Sequence, residues 1–282
     1  MKTNSECLKC LTVPYKKATV WEVYRAFFIK EYKIWIGYGS LILLDFIQMI
    51  QPVVIYYFIA VMLNQQGLGM DYFSFVTVGI AFSHFVYEIM MSLDWNVRRE
   101  KGWGTISSVF HTPITPFNYA VGTYSCYFAY SWFYVAIMLF LSWILMNIQL
   151  IVTLQSVLIA VVAVILMVTS HIGLGFCAVG GNILSNKIAP VATAFSWLQD
   201  VFGGKFFSVS VFKIPLNIIS YILPLRYSLS VLRAVLIDGL SIKAPEVYTN
   251  IIILLAISFI LIPVGYYVMN VSFKKAITKG MM

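Results

Sequence analysis

Long apolar runs constrain this chain more than any other feature. A helix needs about 20 mainly apolar residues to cross a bilayer. Six runs read as such spans: Ile34–Leu63, Tyr72–Trp95, Phe117–Met146, Leu154–Leu184, Ile188–Val201 with its continuation, and Val247–Met269. In lipid the backbone must satisfy its own hydrogen bonds, which leaves helices or a closed barrel. A barrel would show alternating runs of about 10 residues, and this text does not alternate. Composition agrees: 61% of the residues are hydrophobic, 11% are charged, and the mean hydropathy is +0.87. Soluble domains are about 45–50% apolar and about 25% charged. The expectation is an all-α integral membrane protein.

Orientation follows from the cations, which favour the cytoplasmic side. With the N-terminus inside, 14 of the 19 Lys and Arg fall on inner segments, and the short outer loops Asn64–Asp71 and Asn147–Thr153 carry none. The expectation is six spans in the cell membrane, with both termini cytoplasmic. The net charge of +8 is then membrane topology, and nothing points to nucleic acid. No signal peptide is expected, because the first 33 residues are rich in Lys and lack a continuous apolar core.

Residues 1–33 read as a cytoplasmic tail followed by an interfacial helix, Ala18–Lys33. Its Val20, Trp21, Val23, Tyr24, Phe27, Phe28 and Tyr32 gather on one arc, as in a helix lying at headgroup depth. Glu31 falls on that apolar arc and interrupts it. Cys7 and Cys10 have the spacing of half a zinc site, but a free thiol pair is the plainer reading, and no metal is expected. Cys126 and Cys177 read as packing residues.

Residues 34–270 form the six-span domain, and residues 271–282 a cytoplasmic tail. Within the domain, residues 98–116 are too polar for the spans on either side. Gly102 and Gly104 end the arriving helix. Thr105 is a candidate N-cap, and Pro113 ends any helix begun there. A short helix fits over Ile106–His111, with Ile106, Val109 and Phe110 on one side.

Residues 202–246 are too apolar for an open outer loop. Gly203, Gly204, Pro215 and Pro224 nevertheless break any single span there. A pair of helices re-entering the outer leaflet reconciles both facts. Inside the spans, Asp45 and Gln48 lie in the first, His84 and Glu88 share a face of the second, and Asp200 lies in the fifth. An intramembrane acid costs about 2.5–3.5 kcal/mol on insertion scales, so each needs a partner or a wet cavity. Gly173, Gly175, Ala178, Gly180 and Gly181 read as a close-packing surface in the fourth.

The chain resembles the permease subunits of type-2 ATP-binding-cassette (ABC) exporters. The resemblance rests on Glu100, Gly104-Thr105, Thr112-Pro113 and Gly122. It rests further on Gly203/Gly204, Phe206-Phe207, Ile214-Pro215, Pro224-Leu225-Arg226-Tyr227 and Leu232-Arg233. Ser208 stands where a Pro commonly follows the Phe pair. The resemblance covers most of the chain from Trp95 to Met269. It implies a coupling role toward an ATPase subunit for Arg99, Glu100, Trp103, Gly104, Thr105, Phe110, Thr112 and Pro113. It implies a re-entrant motif of Gly203, Gly204, Pro215, Pro224, Tyr227 and Arg233. It also implies two permease copies, a homodimer before a heterodimer, around a pathway lined by Asp45, Gln48, His84, Glu88 and Asp200.

No G-x-x-x-x-G-K-[ST] nucleotide loop occurs. ATP and magnesium are therefore expected on a separate ATPase chain, with no cofactor and no catalytic residue on this one. The expected cargo is amphipathic: a drug, a lipid or a lipid-linked compound. Polysaccharide export is the alternative within the class, and a non-transporting receptor or scaffold the alternative outside it.

Overall fold

The computed structural model describes residues 19–64, 67–105, 115–184, 191–214 and 216–278. Every regular element among them is helical. The first helix, α1 (Val20–Gly37), starts where Thr19 and Glu22 form a reciprocal cap. The Thr19 hydroxyl accepts from the Glu22 N–H at 3.3 Å, and the Glu22 carboxylate accepts from the Thr19 N–H at 2.7 Å. This satisfies two of the amide donors that a helix start leaves orphaned.

After a break at Tyr38 come α2 (Gly39–Asn64), α3 (Gly69–Gly102), α4 (Pro116–Met146), α5 (Leu154–Leu184) and α6 (Val191–Phe202). A 3-10 turn (Val209–Val211) leads to α7 (Leu216–Ile222), α8 (Pro224–Leu236) and α9 (Pro245–Thr278). One boundary differs from the sequence expectation. The interfacial helix runs on to Gly37, so the first span begins after it and not at Ile34. Of the helix expected from Ile188, the described part is Val191–Phe202; residues 185–190, with its expected start, lie outside the described residues.

Among the described residues five helices are long and apolar enough to cross a membrane: α2, α3, α4, α5 and α9. Helices α7 and α8 meet at 78° and would count as a sixth only if taken as one broken span. The bend follows from Pro224, which cannot continue α7 and instead opens α8 at its first turn.

Helix α3 is the axis of the bundle. It packs against α2, α4, α5, α6 and α8, and its central stretch is mostly buried, whereas those of α2 and α9 are mostly exposed. The main core gathers Phe73, Phe85, Met90, Met138, Met167, Leu225, Leu229 and Leu232 around it. Helices α5 and α9 make the most extensive pair. A Cβ on Gly173 would collide with the Leu261 carbonyl, and one on Gly265 with the Gly173 carbonyl. These two glycines let the backbones touch.

Candidate functional site

Polar side chains collect at three levels of the bundle. The first is where α1 meets the end of α3. Helix α1 lies on α4 through a stripe that includes Phe27 and Glu31. Phe27 meets Tyr119 edge-on at 5.4 Å between centroids. It also fills the space that Gly122 leaves: a Cβ there would stand 2.9 Å from the Phe27 ring.

Glu31 is 3% exposed. It receives Arg99 Nη2 on both carboxylate oxygens, at 2.7 and 2.9 Å, and the Tyr127 hydroxyl at 3.2 Å. Glu100, equally buried, accepts from Lys30 of α1 and from the hydroxyl of Thr105. The Thr105 amide also donates to the Glu100 carbonyl at 3.0 Å. Gly104, at φ +70°, makes this reversal possible, since a left-handed backbone suits glycine. Arg98 pairs with Asp94 one turn earlier.

Two buried carboxylates and two cations thus fasten α1 to the segment that leaves α3. Removing one member of such a pair costs about 3–5 kcal/mol, because its partner is left buried and alone. Trp103 stands 53% exposed, with the Arg99 guanidinium 5.4 Å from its ring. Phe110, Thr112 and Pro113, with the short helix expected at Ile106–His111, lie outside the described residues, as do Cys7 and Cys10.

The second level crosses the middle of the bundle. The Trp35 indole donates to Asp45 at 3.0 Å. The Trp35 ring lies 6.0 Å from Tyr130, Tyr130 lies 5.5 Å from His84, and His84 stacks on Tyr134 at 3.8 Å. His84 Nε2 is 3.5 Å from Glu88, and its Nδ1 is 3.4 Å from the Ser131 hydroxyl. Asp45, His84 and Glu88 are therefore joined through aromatic rings of α1 and α4. Gln48 is exposed.

Asp200 is held differently, by Lys205 Nζ at 2.9 Å. Phe206, next along, stacks on Tyr56 of α2 at 5.7 Å. Asp45 is also shallower than a span beginning at Ile34 implies. It stands six residues into α2, about 9 Å along, because Tyr38 interrupts the helix.

The third level lies at the opposite end of α3. Arg233 donates to three backbone carbonyls: Nε to Phe75 at 3.1 Å, Nη1 to Gly204 at 2.8 Å and Nη2 to Lys205 at 3.1 Å. Its guanidinium carbon also lies 3.4 Å from the Phe75 ring centroid. Gly203 has no room for a side chain between Gln199 and Leu225, and Gly204 turns at φ +80°. The Tyr227 hydroxyl donates to the Tyr221 carbonyl at 2.7 Å, tying α8 back to α7 across the Pro224 bend. Pro215 lies outside the described residues. A cavity of about 1230 Å³ opens beside this knot.

Sequence reasoning named Arg99, Glu100 and Thr105 but missed Lys30, Glu31, Tyr127 and Asn96, which complete their network. The one signal for them was Glu31 itself, a carboxylate on an otherwise apolar arc. Trp35, Tyr130 and Tyr134 carried no signal at all, since aromatic residues are ordinary in such helices. Compared with known proteins, the chain matches no protein-family model and no curated sequence.

Proposed function

We propose that this chain is the membrane-spanning subunit of an ABC exporter, one of two copies that enclose a pathway and are driven by ATPase subunits on separate chains. The observation that carries the reading is the network of Lys30, Glu31, Arg99, Glu100 and Thr105. It fastens an amphipathic helix to the segment that leaves the bundle's central helix. A push on the residues after Thr105 would reach α1 through Glu100 and Lys30, and α3 directly. The polar chain from Asp45 to Glu88, set deeper between α1, α2, α3 and α4, would then line or gate the pathway. In this reading the segment beyond Thr105 faces the cytoplasm, both termini lie on that side, α7 and α8 re-enter from the outside, and the cargo is amphipathic.

The chain is to be isolated from its native membrane in mild detergent. The expected companion is a protein carrying a nucleotide-binding loop, with vanadate-sensitive ATP hydrolysis. Lys30→Glu should uncouple that hydrolysis from transport, and Lys30→Glu with Glu100→Lys should restore it in part. If no ATP-binding protein accompanies the chain, the reading is wrong. If one does but the charge swap restores nothing, the network is a brace and not a transmission element.

A further inference from the structure

The cavity at the end of α3 away from Thr105 has a volume of about 1230 Å³, above the range of about 300–1,000 Å³ usual for small-molecule sites. A smaller groove of about 380 Å³ adjoins it, and Asn147 and Gln149 line both. Asn147 ends α4 in the left-handed conformation, at φ 50°, which asparagine tolerates better than most residues. That turn sets the two amides at the junction. Trp143 borders the groove and is 55% exposed.

The cavity wall mixes donors, acceptors and apolar surface at close range. Arg226 lies in the first turn of α8, with its guanidinium stacked 3.9 Å over the Tyr221 ring. The stacking holds it in place, yet its Nη1 is buried without a hydrogen-bond partner. Glu246 of α9 accepts from Ser230, one turn beyond Arg226, at 3.2 Å. A donor and an acceptor thus stand about one turn apart on α8, roughly 6 Å, and among the described residues they make no ion pair with each other. The Asn217 amide oxygen is likewise buried and unpaired. Met70, Val209 and Ile237 share the wall with these polar groups.

We infer that this cavity binds a neutral oligosaccharide, with one ring between Arg226 and Glu246 and the chain leaving past Asn147 and Gln149 toward Trp143. A hydroxyl donates and accepts at once, so neighbouring hydroxyls of a sugar ring can give to Glu246 while taking from Arg226. The C–H faces of the ring are apolar and suit Met70, Val209, Ile237 and the exposed indole of Trp143. A simple anion would meet Glu246, a cation would meet Arg226 one turn away, and a lipid chain would leave both unpaired. A metal ion is also a poor fit, since no group of three or more His, Cys, Asp or Glu among the described residues is arranged to hold one. The site is built from one chain and does not depend on the exporter reading.

The test uses the full chain, purified in a polyoxyethylene detergent, which carries no sugar. The probes are maltotriose, cellotriose and chitotriose at millimolar concentration, with trialanine and spermidine as controls. Binding is read by calorimetry and by the thermal midpoint. At least one of the sugars should bind, and the controls should not. Arg226→Gln and Glu246→Gln should each weaken that sugar about ten-fold or more, each having lost a charge-assisted contact. Trp143→Ala should lower the trisaccharide's affinity to that of the corresponding disaccharide and leave the disaccharide's unchanged. A free oligosaccharide and a glycolipid headgroup share this chemistry. An octyl glycoside of the bound sugar that binds no tighter than the free sugar points to the first, and a clear gain from the chain points to the second. No detectable binding of any of the sugars, or equal binding of trialanine or spermidine, overturns the assignment. An unchanged trisaccharide affinity in Trp143→Ala overturns the extension toward the groove. The comparison among probes needs no variant, so it decides the matter even if Arg226→Gln fails to fold.

Discussion

Gly79 shows how much one missing side chain can hold. It sits on α3 where the backbone after α6 crosses, and a Cβ there would collide with the Lys205 carbonyl and with Arg233 Nη2. Arg233 reaches its three carbonyls only because that corridor is open. Hydrogen bonds to a charged group contribute about 1.5–3 kcal/mol each, and overpacking a tight site costs about 1–3 kcal/mol. Gly79→Ala should therefore lower stability in detergent by at least about 2 kcal/mol, seen as a clear drop in the thermal midpoint. Gly175→Ala is the matched control: the nearest atom to its Cβ would be the Ile89 carbonyl at 3.5 Å, an ordinary contact. It should change the midpoint little. A Gly79→Ala protein as stable as Gly175→Ala would mean that the crossing is looser than the close approach implies.

At the scale of single helices, the start of α1 offers a pH test. The Thr19 amide and hydroxyl both bond Glu22 and hold its carboxyl below the ordinary value of 4.5. A carboxylate lowered on folding stabilises the helix above its unfolded pKa, and the gain is lost as pH falls through the folded value. Amide exchange in the first turn of α1 should therefore quicken, relative to its intrinsic rate, as pH drops below 4.5, while the middle of α1 stays protected. Glu22→Gln should flatten that response. A first turn with the same pH response in both proteins would show that the cap is not formed.

The helices also differ in how far the sequence foretold them. Helices α4 and α5 stand within a residue of their apolar runs, because Thr115-Pro116 marks one start and polar residues flank the other. The break at Tyr38 was hidden, because Gly37-Tyr38-Gly39 lies inside a run that hydropathy reads straight through. The end of helix α6 was marked in the sequence by Gly203 and Gly204, which stop it one residue past Val201 although apolar residues continue beyond. Glu31 looked like a flaw in an amphipathic pattern because its partner, Arg99, stands on another helix. A pairing across 68 residues leaves no local trace. Asp45, His84 and Glu88 were legible as costly residues needing company, but the aromatic rings that supply it were not.

For the molecule as a whole, the open question is which end faces which compartment. The proposed reading, following the cation distribution, has the Arg98–Thr105 end inside and the Arg233 end outside. Single cysteines at Lys205 and Lys243 should then react with an impermeant thiol reagent added to intact cells. A cysteine at Lys205 should be the slower, since the side chain at that position is only 16% exposed. A cysteine at Trp103 should react only after lysis. Labelling of Trp103 from outside and of Lys243 only after lysis would invert the topology and, with it, the exporter reading.

The backbone contact between Gly173 and Gly265 bears on motion. Two helices that touch main chain to main chain cannot slide past each other, because the first ångström of travel would drive a carbonyl into a neighbouring strut. Helices α5 and α9 must then travel as a single rigid body, and any hinge belongs elsewhere. The freer partner is α2, whose central stretch is mostly exposed and which is set off from α1 by the break at Tyr38. Rearrangement in this bundle should therefore be sought as a tilt of α1 and α2 about a stationary α5–α9 post.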